Sequence, residues 1–157
     1  MNLSSLFDAH HISLIWKESS HEKLIEHPQY GMISPNELRA KFDNTPCPYC
    51  DKIMKHGESY KTNSREEAIA RKFYYLDSSG HKHFCKIGNV YFSDRYVTLD
   101  HILNKARFPN KMFDAENLAA VCWKCNHIKS DNNLFGILRK RANARRRRKK
   151  LFKGKYL

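Results

Sequence analysis

The sequence lacks any long apolar segment. None of its apolar runs approaches the roughly 18 to 20 residues that a membrane-spanning helix needs. The N-terminus, MNLSSLFDAHHISLIW, also lacks the basic segment followed by a sustained apolar stretch that is typical of a secretion signal. These absences argue against a membrane protein, and we expect a soluble protein of the cytoplasm.

Acidic residues are absent from the C-terminal segment 139–157, which contains eleven lysines and arginines. This segment therefore carries eleven of the chain's net charge of +13. A dense cationic segment binds nucleic acid by releasing counterions from the phosphates, without reading base sequence. We expect a basic tail that binds DNA, although a solubilising arm would have the same composition. Its densest cations are Arg145, Arg146, Arg147 and Arg148.

The length of 157 residues suits one compact domain with additions, and 41% hydrophobic residues are enough for a packed core. We divide the chain into an N-terminal helical region, 1–44, a central domain, 45–138, and the basic tail, 139–157. The central domain carries an insertion over 51–96. Neither a homodimer nor a protein partner can be read from the sequence.

The spacing of apolar and capping residues predicts an α+β fold. Apolar positions between residues 3 and 27 predict one or two amphipathic helices, broken near Ser19. A second helix is expected after Ser34, because Pro35 and Glu37 are typical of a first turn. The other predicted elements are a short helix over 64–70, a hairpin of 72–76 with 81–84, strands over 90–92 and 96–99, a turn and strand within 113–121, and a helix from residue 126 onward.

Four of the five cysteines form two C-x-x-C pairs, Cys47 with Cys50 and Cys122 with Cys125. In a reducing compartment such pairs indicate metal ligands rather than disulfides. Four thiolates complete a closed tetrahedral zinc site, which has no open position and therefore stabilises the fold without catalysing a reaction. The 71 residues between the pairs must loop out of this site. The alternative is a chance pairing of ordinary buried cysteines.

Two further patterns suggest metal binding. His81, His83 and Cys85 could bind a second metal, although strand alternation alone would place all three on one face. Asp100 and His101 could share phosphodiester hydrolysis, the carboxylate holding a divalent cation and the imidazole taking a proton from water. For both to serve one site, the strand must end or bulge at Asp100. An ordinary surface pair would also explain this dipeptide.

Three segments together resemble the HNH endonuclease family in order, spacing and residue type. They are Asp100-His101-Ile102, Glu116-Asn117-Leu118 and Cys122-x-x-Cys125-Asn126-x-x-Lys129. The resemblance covers about residues 97–132 together with the upstream cysteine pair. Residues 126–132 also look like the end of the HNH domain in CRISPR effector nucleases, which lack the zinc knuckles. The family resemblance implies a small ββα-metal core, here clamped by a four-cysteine zinc site, with helices before it and a basic helix or tail after it.

The same resemblance implies a role for each matched residue. Asp100 would be a metal ligand and His101 the general base. Asn117 would hold the connecting loop by hydrogen bonds to its backbone, and Asn126 would complete the site for Mg²⁺ or another divalent ion. His127, directly adjacent, is an alternative ligand that could share or replace Asn126.

The sequence departs from the family pattern in the length of its insertion and in lacking the proline often found shortly after Asp-His. Lys129 and Arg107 could contact phosphate, although isolated cations are more often solvated surface groups. We expect a metal-dependent DNA endonuclease, encoded by a phage or mobile element or acting in defence, whose products carry 5′ phosphates and 3′ hydroxyls. The alternative is a non-catalytic zinc module that binds nucleic acid.

Overall fold

The computed structural model describes residues 8–129, which form a small α+β architecture of four α-helices and nine β-strands. The predicted basic tail lies outside the described residues. In chain order the elements are α1 (Ala9–Glu18), β1 (Ile25–His27), β2 (Gly31–Ile33), α2 (Pro35–Ala40), β3 (Lys61–Thr62), α3 (Arg65–Ala70), β4 (Tyr74–Leu76), β5 (Lys82–Phe84), β6 (Lys86–Ile87), β7 (Val90–Phe92), β8 (Val97–His101), β9 (Leu118–Cys122) and α4 (Trp123–Lys129).

The N-terminal region contains a helix and a hairpin. α1 begins after Asp8, whose carboxylate accepts a hydrogen bond from the amide of His10 at 3.0 Å. The helical spacing predicted for residues up to 27 is wrong beyond α1, because β1 and β2 pair with Ile25 opposite Ile33. The turn ends at Gly31 with φ of 70°, a conformation that favours glycine. Pairing that buries both isoleucines thus overrides the local spacing.

Side-chain caps explain where the next two helices begin. At α2 the hydroxyl of Ser34 accepts from the amide of Glu37 at 3.1 Å, and the carboxylate of Glu37 accepts from the amide of Ser34 at 3.0 Å. At α3 the hydroxyl of Ser64 accepts from the amide of Glu67 at 3.2 Å. Both predicted helices are confirmed, since the capping residues are local and readable from sequence.

The insertion forms two small sheets. β4 and β5 pair as the predicted hairpin, whose turn is held by the carboxylate of Asp77 accepting from the amides of Ser79 and His81. β7 lies between β3 and β6 in a three-stranded antiparallel sheet. A separate small core supports this region and consists of Ala68, Phe73 and Tyr91.

β8 and β9 form an antiparallel pair joined by a loop over 102–117, and α4 follows β9 directly. The register is unbroken to the last pair, in which His101 lies opposite Leu118. β8 therefore passes through Asp100 without ending or bulging there, contrary to the condition expected from sequence. α4 begins at Trp123, earlier than predicted.

β8 contributes to two cores. One surrounds the four paired cysteines and includes Tyr49, Met54, Val97 and Val121. The other joins β8 to the N-terminal hairpin and α2 and consists of Ile25, Ile33, Leu38 and Leu99. Burying each such aliphatic side chain contributes about 1.5 to 3 kcal/mol to folding. The candidate site residues at the end of β8 are thus held between packed layers.

Candidate metal centre and active site

The four paired cysteines converge across the 71 residues between the pairs. Their Sγ atoms all lie within 4.8 Å of one another, and those of Cys50 and Cys122 are 3.7 Å apart. Tetrahedral coordination with zinc–sulfur distances of about 2.3 Å places sulfur atoms about 3.8 Å apart. Unrelated buried cysteines have no reason to converge in this way, and the cluster could hold a structural metal ion such as zinc.

Local backbone structure positions these thiols. The first pair lies on a tight turn in which the amide of Asp51 donates to the carbonyl of Cys47 at 2.8 Å. The second pair lies where β9 passes into α4. The amide of Cys122 donates to the Sγ of Cys47 at 3.4 Å, and that of Cys125 to the Sγ of Cys122 at 3.5 Å. Such donors stabilise thiolates, the form that binds metal.

The clustered thiols shift one another's pKa in opposite directions. Hydrogen bonding with Cys122 lowers the pKa of Cys50 to about 6 and also lowers the pKa of Cys47. The pKa of Cys122 is instead raised, first through its contact with Cys125. Without a cation, the close thiols cannot all ionise. A divalent ion among them would stabilise all four thiolates together.

The run of His81, His83 and Cys85 does not form a second metal site. Among residues 8–129, the four-cysteine cluster is the one group whose potential ligand atoms lie close enough to share an ion. The Nε2 of His83 lies 2.8 Å from a carboxylate oxygen of Asp77. Cys85 is fully buried, and burial raises the pKa of its thiol to about 12. The second-metal interpretation is therefore wrong.

Asp100 is buried and paired with a lysine. The Nζ of Lys129, at the end of α4, lies 2.9 Å from each carboxylate oxygen. The hydroxyl of Tyr49 also donates to Oδ2 of Asp100 at 3.4 Å. Lys129 is only 3% exposed and is therefore not a solvated surface group. Its charge instead compensates the buried carboxylate. The contact with phosphate expected for Lys129 stays a prediction.

His101 is also buried, but its contacts differ from those of Asp100. Its Nε2 lies 3.0 Å from the carbonyl oxygen of Met112, and its ring contacts that of Trp16 at a centroid distance of 4.4 Å. Burial lowers the pKa of His101 to about 4, with smaller contributions in the same direction from Lys105 and Lys129. The imidazole is therefore neutral near pH 7.

Asp100 and His101 contact opposite sides of β8. Adjacent residues of a regularly paired strand point to opposite faces, and the pairing of β8 with β9 is regular at Asp100 and His101. Asp100 contacts α4, whereas His101 contacts α1 and the loop before β9. Asp100 and His101 are adjacent in the chain, but their side chains point away from each other.

Asn117 ties the loop between the two strands. Its Oδ1 accepts from the amide of Leu103 at 2.7 Å. Its Nδ2 donates to the carbonyl oxygens of Leu103 and Lys111 at 3.2 and 3.0 Å. Both polar atoms of this buried amide group therefore form hydrogen bonds with the backbone of the loop.

Asn126 and His127 occupy separate surroundings on α4. The Nδ2 of Asn126 donates to the hydroxyl of Thr98 at 3.0 Å. His127 is exposed, and its Nδ1 shares a hydrogen bond with the hydroxyl of Tyr75 in the insertion. Asn126 therefore lies against β8, whereas His127 contacts the insertion. Arg107 is exposed.

Sequence reasoning missed most partners of the candidate residues. Tyr49 and Lys129 contact Asp100, and Trp16 contacts His101. Tyr49 lies between the first two cysteines, so its closeness to the cluster was readable. The pairing of Lys129 with Asp100 spans 29 positions and follows from the packing of α4 on β8.

No described helix combines the length and the apolar character needed to cross a membrane. Comparison of the chain with protein-family models, curated proteins and solved structures found no match.

Proposed function

We propose that the chain is a DNA endonuclease of the HNH type that hydrolyses phosphodiester bonds. One observation carries the proposal: the strand, tied loop, strand and helix over 97–129 are joined to a four-cysteine cluster, with Asp100 and His101 at the end of the first strand. This is the order of elements that the ββα-metal core of that family requires. The cationic tail supports DNA as the substrate.

His101 has the protonation state that a general base requires. A carbonyl oxygen can only accept, so the contact with Met112 places the proton on Nε2. Nδ1 then carries the lone pair that can take a proton from an attacking water. Because burial lowers the pKa of the ring, this base form persists well below neutral pH.

The described geometry does not fit a divalent ion at Asp100. Both carboxylate oxygens contact the ammonium group of Lys129, whose positive charge repels a divalent ion. The hydrogen bond of Asn126 to Thr98 uses the amide nitrogen and not the oxygen that would bind the ion. A magnesium ion would bind Asp100 and Asn126 only after Lys129 leaves the carboxylate. Binding of a divalent ion at Asp100 would therefore require the ammonium group of Lys129 to be displaced from the carboxylate.

Zinc would have a structural role in this proposal. The four thiols join the turn at Cys47 to the junction of β9 and α4. A closed thiolate site holds these segments together and leaves no coordination position for substrate.

A non-catalytic zinc module that binds nucleic acid is the second candidate. The buried ion pair of Asp100 with Lys129 favours it, because a compensated carboxylate needs no further cation. Incubation of the purified protein with supercoiled plasmid, with and without magnesium or manganese, separates the two. Divalent-dependent nicking or linearisation supports the endonuclease, whereas a mobility shift without strand breakage supports the binding module.

A further inference from the structure

A cleft with a volume of about 590 Å³ lies between α1, α2, the three-stranded sheet of the insertion, β8 and α4. This volume is within the roughly 300 to 1,000 Å³ of pockets that enclose small ligands. The lining residues that matter here are Trp16, Arg39, Phe92, Tyr96, Trp123 and Asn126.

Aromatic rings form one wall of the cleft. The rings of Phe92 and Trp123 are stacked, with centroids 5.2 Å apart and planes 18° apart. The buried ring of Tyr96 meets the ring of Phe92 edge-on, with centroids 4.9 Å apart. Flat aromatic surfaces of this kind bind planar rings, and every nucleobase offers one.

The cleft is also cationic. No aspartate or glutamate lies among the described residues that line it. Arg39 is half-buried, burial lowers its pKa, and its guanidinium forms no ion pair within residues 8–129. Lys61 also lines the cleft, but its Nζ lies 2.8 Å from a carboxylate oxygen of Glu58. Lys17 lines the cleft too but is exposed to water, so Arg39 is the cation with most to gain from an anionic ligand.

The cleft contains one candidate catalytic residue and lies one side chain away from another. Trp16 lines it and contacts the ring of His101 at 4.4 Å. Asn126 lines it as well and is held by Thr98. A ligand in the cleft would therefore contact Asn126 directly and would be separated from His101 by the ring of Trp16.

We infer that this cleft binds one nucleotide unit, with the base against the aromatic wall of Phe92, Tyr96 and Trp123 and the phosphate at Arg39. A role for this cleft in catalysis rests on the proposed nuclease function. The binding of a nucleotide rests only on the residues that line the cleft. The same unit could be a free mononucleotide or a nucleotide of a DNA strand, and the two sources are distinguishable by experiment.

Intrinsic fluorescence provides a direct test, because the chain has two tryptophans and both line the cleft. Full-length protein is titrated with dTMP, thymidine, inorganic phosphate and the oligonucleotide (dT)8, with no divalent cation added. We expect saturable quenching by dTMP, weaker binding of thymidine and of phosphate, and saturable quenching by (dT)8. A preference for (dT)8 over dTMP that falls in Arg39→Gln assigns the site to a strand, whereas a preference unchanged in that variant comes from the basic segment 139–157 and assigns the cleft to a free nucleotide.

Variants test the arginine contact. Arg39→Gln should weaken dTMP binding about tenfold or more, because a charge-assisted contact is lost. Arg39→Lys keeps the charge and should retain part of the affinity. Lys41→Gln is the matched control, since this exposed lysine lies two positions away and does not line the cleft. The loss in Arg39→Gln must appear with both dTMP and (dT)8, in protein whose zinc content and circular dichroism match the wild type.

The inference is overturned if dTMP causes no saturable change, or if a folded Arg39→Gln variant binds dTMP as tightly as Lys41→Gln does. Because no divalent cation is present, the result does not depend on strand cleavage. A protein that cleaves plasmid but fails this titration refutes the nucleotide cleft alone. A protein that passes it but never cleaves refutes the nuclease proposal alone.

Discussion

The Nζ of Lys129 lies 2.9 Å from both carboxylate oxygens of Asp100, and both side chains are almost completely buried. A buried ion pair contributes little net stability when intact, but removing one partner leaves an uncompensated charge. This pair also blocks the carboxylate that the family resemblance assigns to a divalent ion. The lysine and the ion therefore compete for one acid.

Replacing Lys129 tests this competition. Lys129→Met should lower the free energy of unfolding by about 3 to 5 kcal/mol without added divalent ion. Magnesium or manganese should restore part of that loss, since the ion can then bind Asp100. Differential scanning fluorimetry with and without the ion measures both effects. Lys124→Gln, on the same helix, is the control, and the account of Asp100 fails if Lys129→Met shows no greater response to the ion than this control.

Removing one cluster cysteine should abolish folding. Cys122→Ser leaves three ligands, and the free energy of binding a structural zinc ion, about 10 to 16 kcal/mol in zinc-finger peptides, is folding free energy. Cys85→Ala is the matched control, because Cys85 is equally buried but lies outside the cluster. Circular dichroism and elemental analysis are the measurements, with about one zinc expected per wild-type chain. A zinc-free wild-type protein that keeps its secondary structure would contradict the metal centre.

Loss of the Asn117 side chain should loosen the loop before β9. Asn117→Ala removes three hydrogen bonds to backbone and leaves buried groups unpaired, at a cost of about 2 to 4 kcal/mol. The amide of Leu103 should exchange hydrogen faster, while the zinc content stays the same. Asn110→Ala, at an exposed position of the same loop, is the control. Unchanged exchange at Leu103 would show that Asn117 does not hold the loop.

His101 should make stability depend on pH in an acidic window. Its pKa is about 4 in the folded chain and about 6.5 in an unfolded one. The unfolded state takes up a proton first as pH falls, so the contribution of His101 is fully present above about pH 6.5 and is lost towards pH 4. The loss is on the order of 3 kcal/mol.

Urea unfolding of wild type and His101→Gln, at intervals from pH 7 to pH 5, measures this contribution. The free energy of unfolding of wild type relative to that of His101→Gln should fall steadily as pH falls. Groups other than His101 titrate in both proteins and therefore cancel from this difference. A difference that stays constant over this range would mean that His101 is not buried in its neutral form.

Sequence patterns predicted those parts of the molecule that depend on local chemistry. Ser34 and Ser64 begin helices because their caps lie within three residues. The cysteine pairs were recognisable because four thiols at this spacing have few uses other than metal binding. These features need no knowledge of distant contacts.

The remaining features depend on packing between distant segments. Ile25 lies in a strand because Ile33 pairs with it, although its spacing suits a helix. Alternation along β8 predicts opposite faces for Asp100 and His101, but it cannot identify Lys129 and Met112 as their partners. Resemblance to a family motif therefore identifies candidate residues, but it does not determine which residues contact them.

Plasmid cleavage by wild type and two histidine variants tests the central claim most directly. Supercoiled plasmid is incubated with wild type, His101→Ala and His81→Ala, each with magnesium or manganese and each matched in zinc content. His81 is exposed and pairs with Asp77 in the insertion, so its variant controls for loss of a histidine. Loss of the base should lower the cleavage rate at least a hundredfold in His101→Ala, with DNA binding retained, while His81→Ala cleaves like wild type. Equal cleavage by His101→Ala and wild type, or no cleavage by any of the three, would contradict the account.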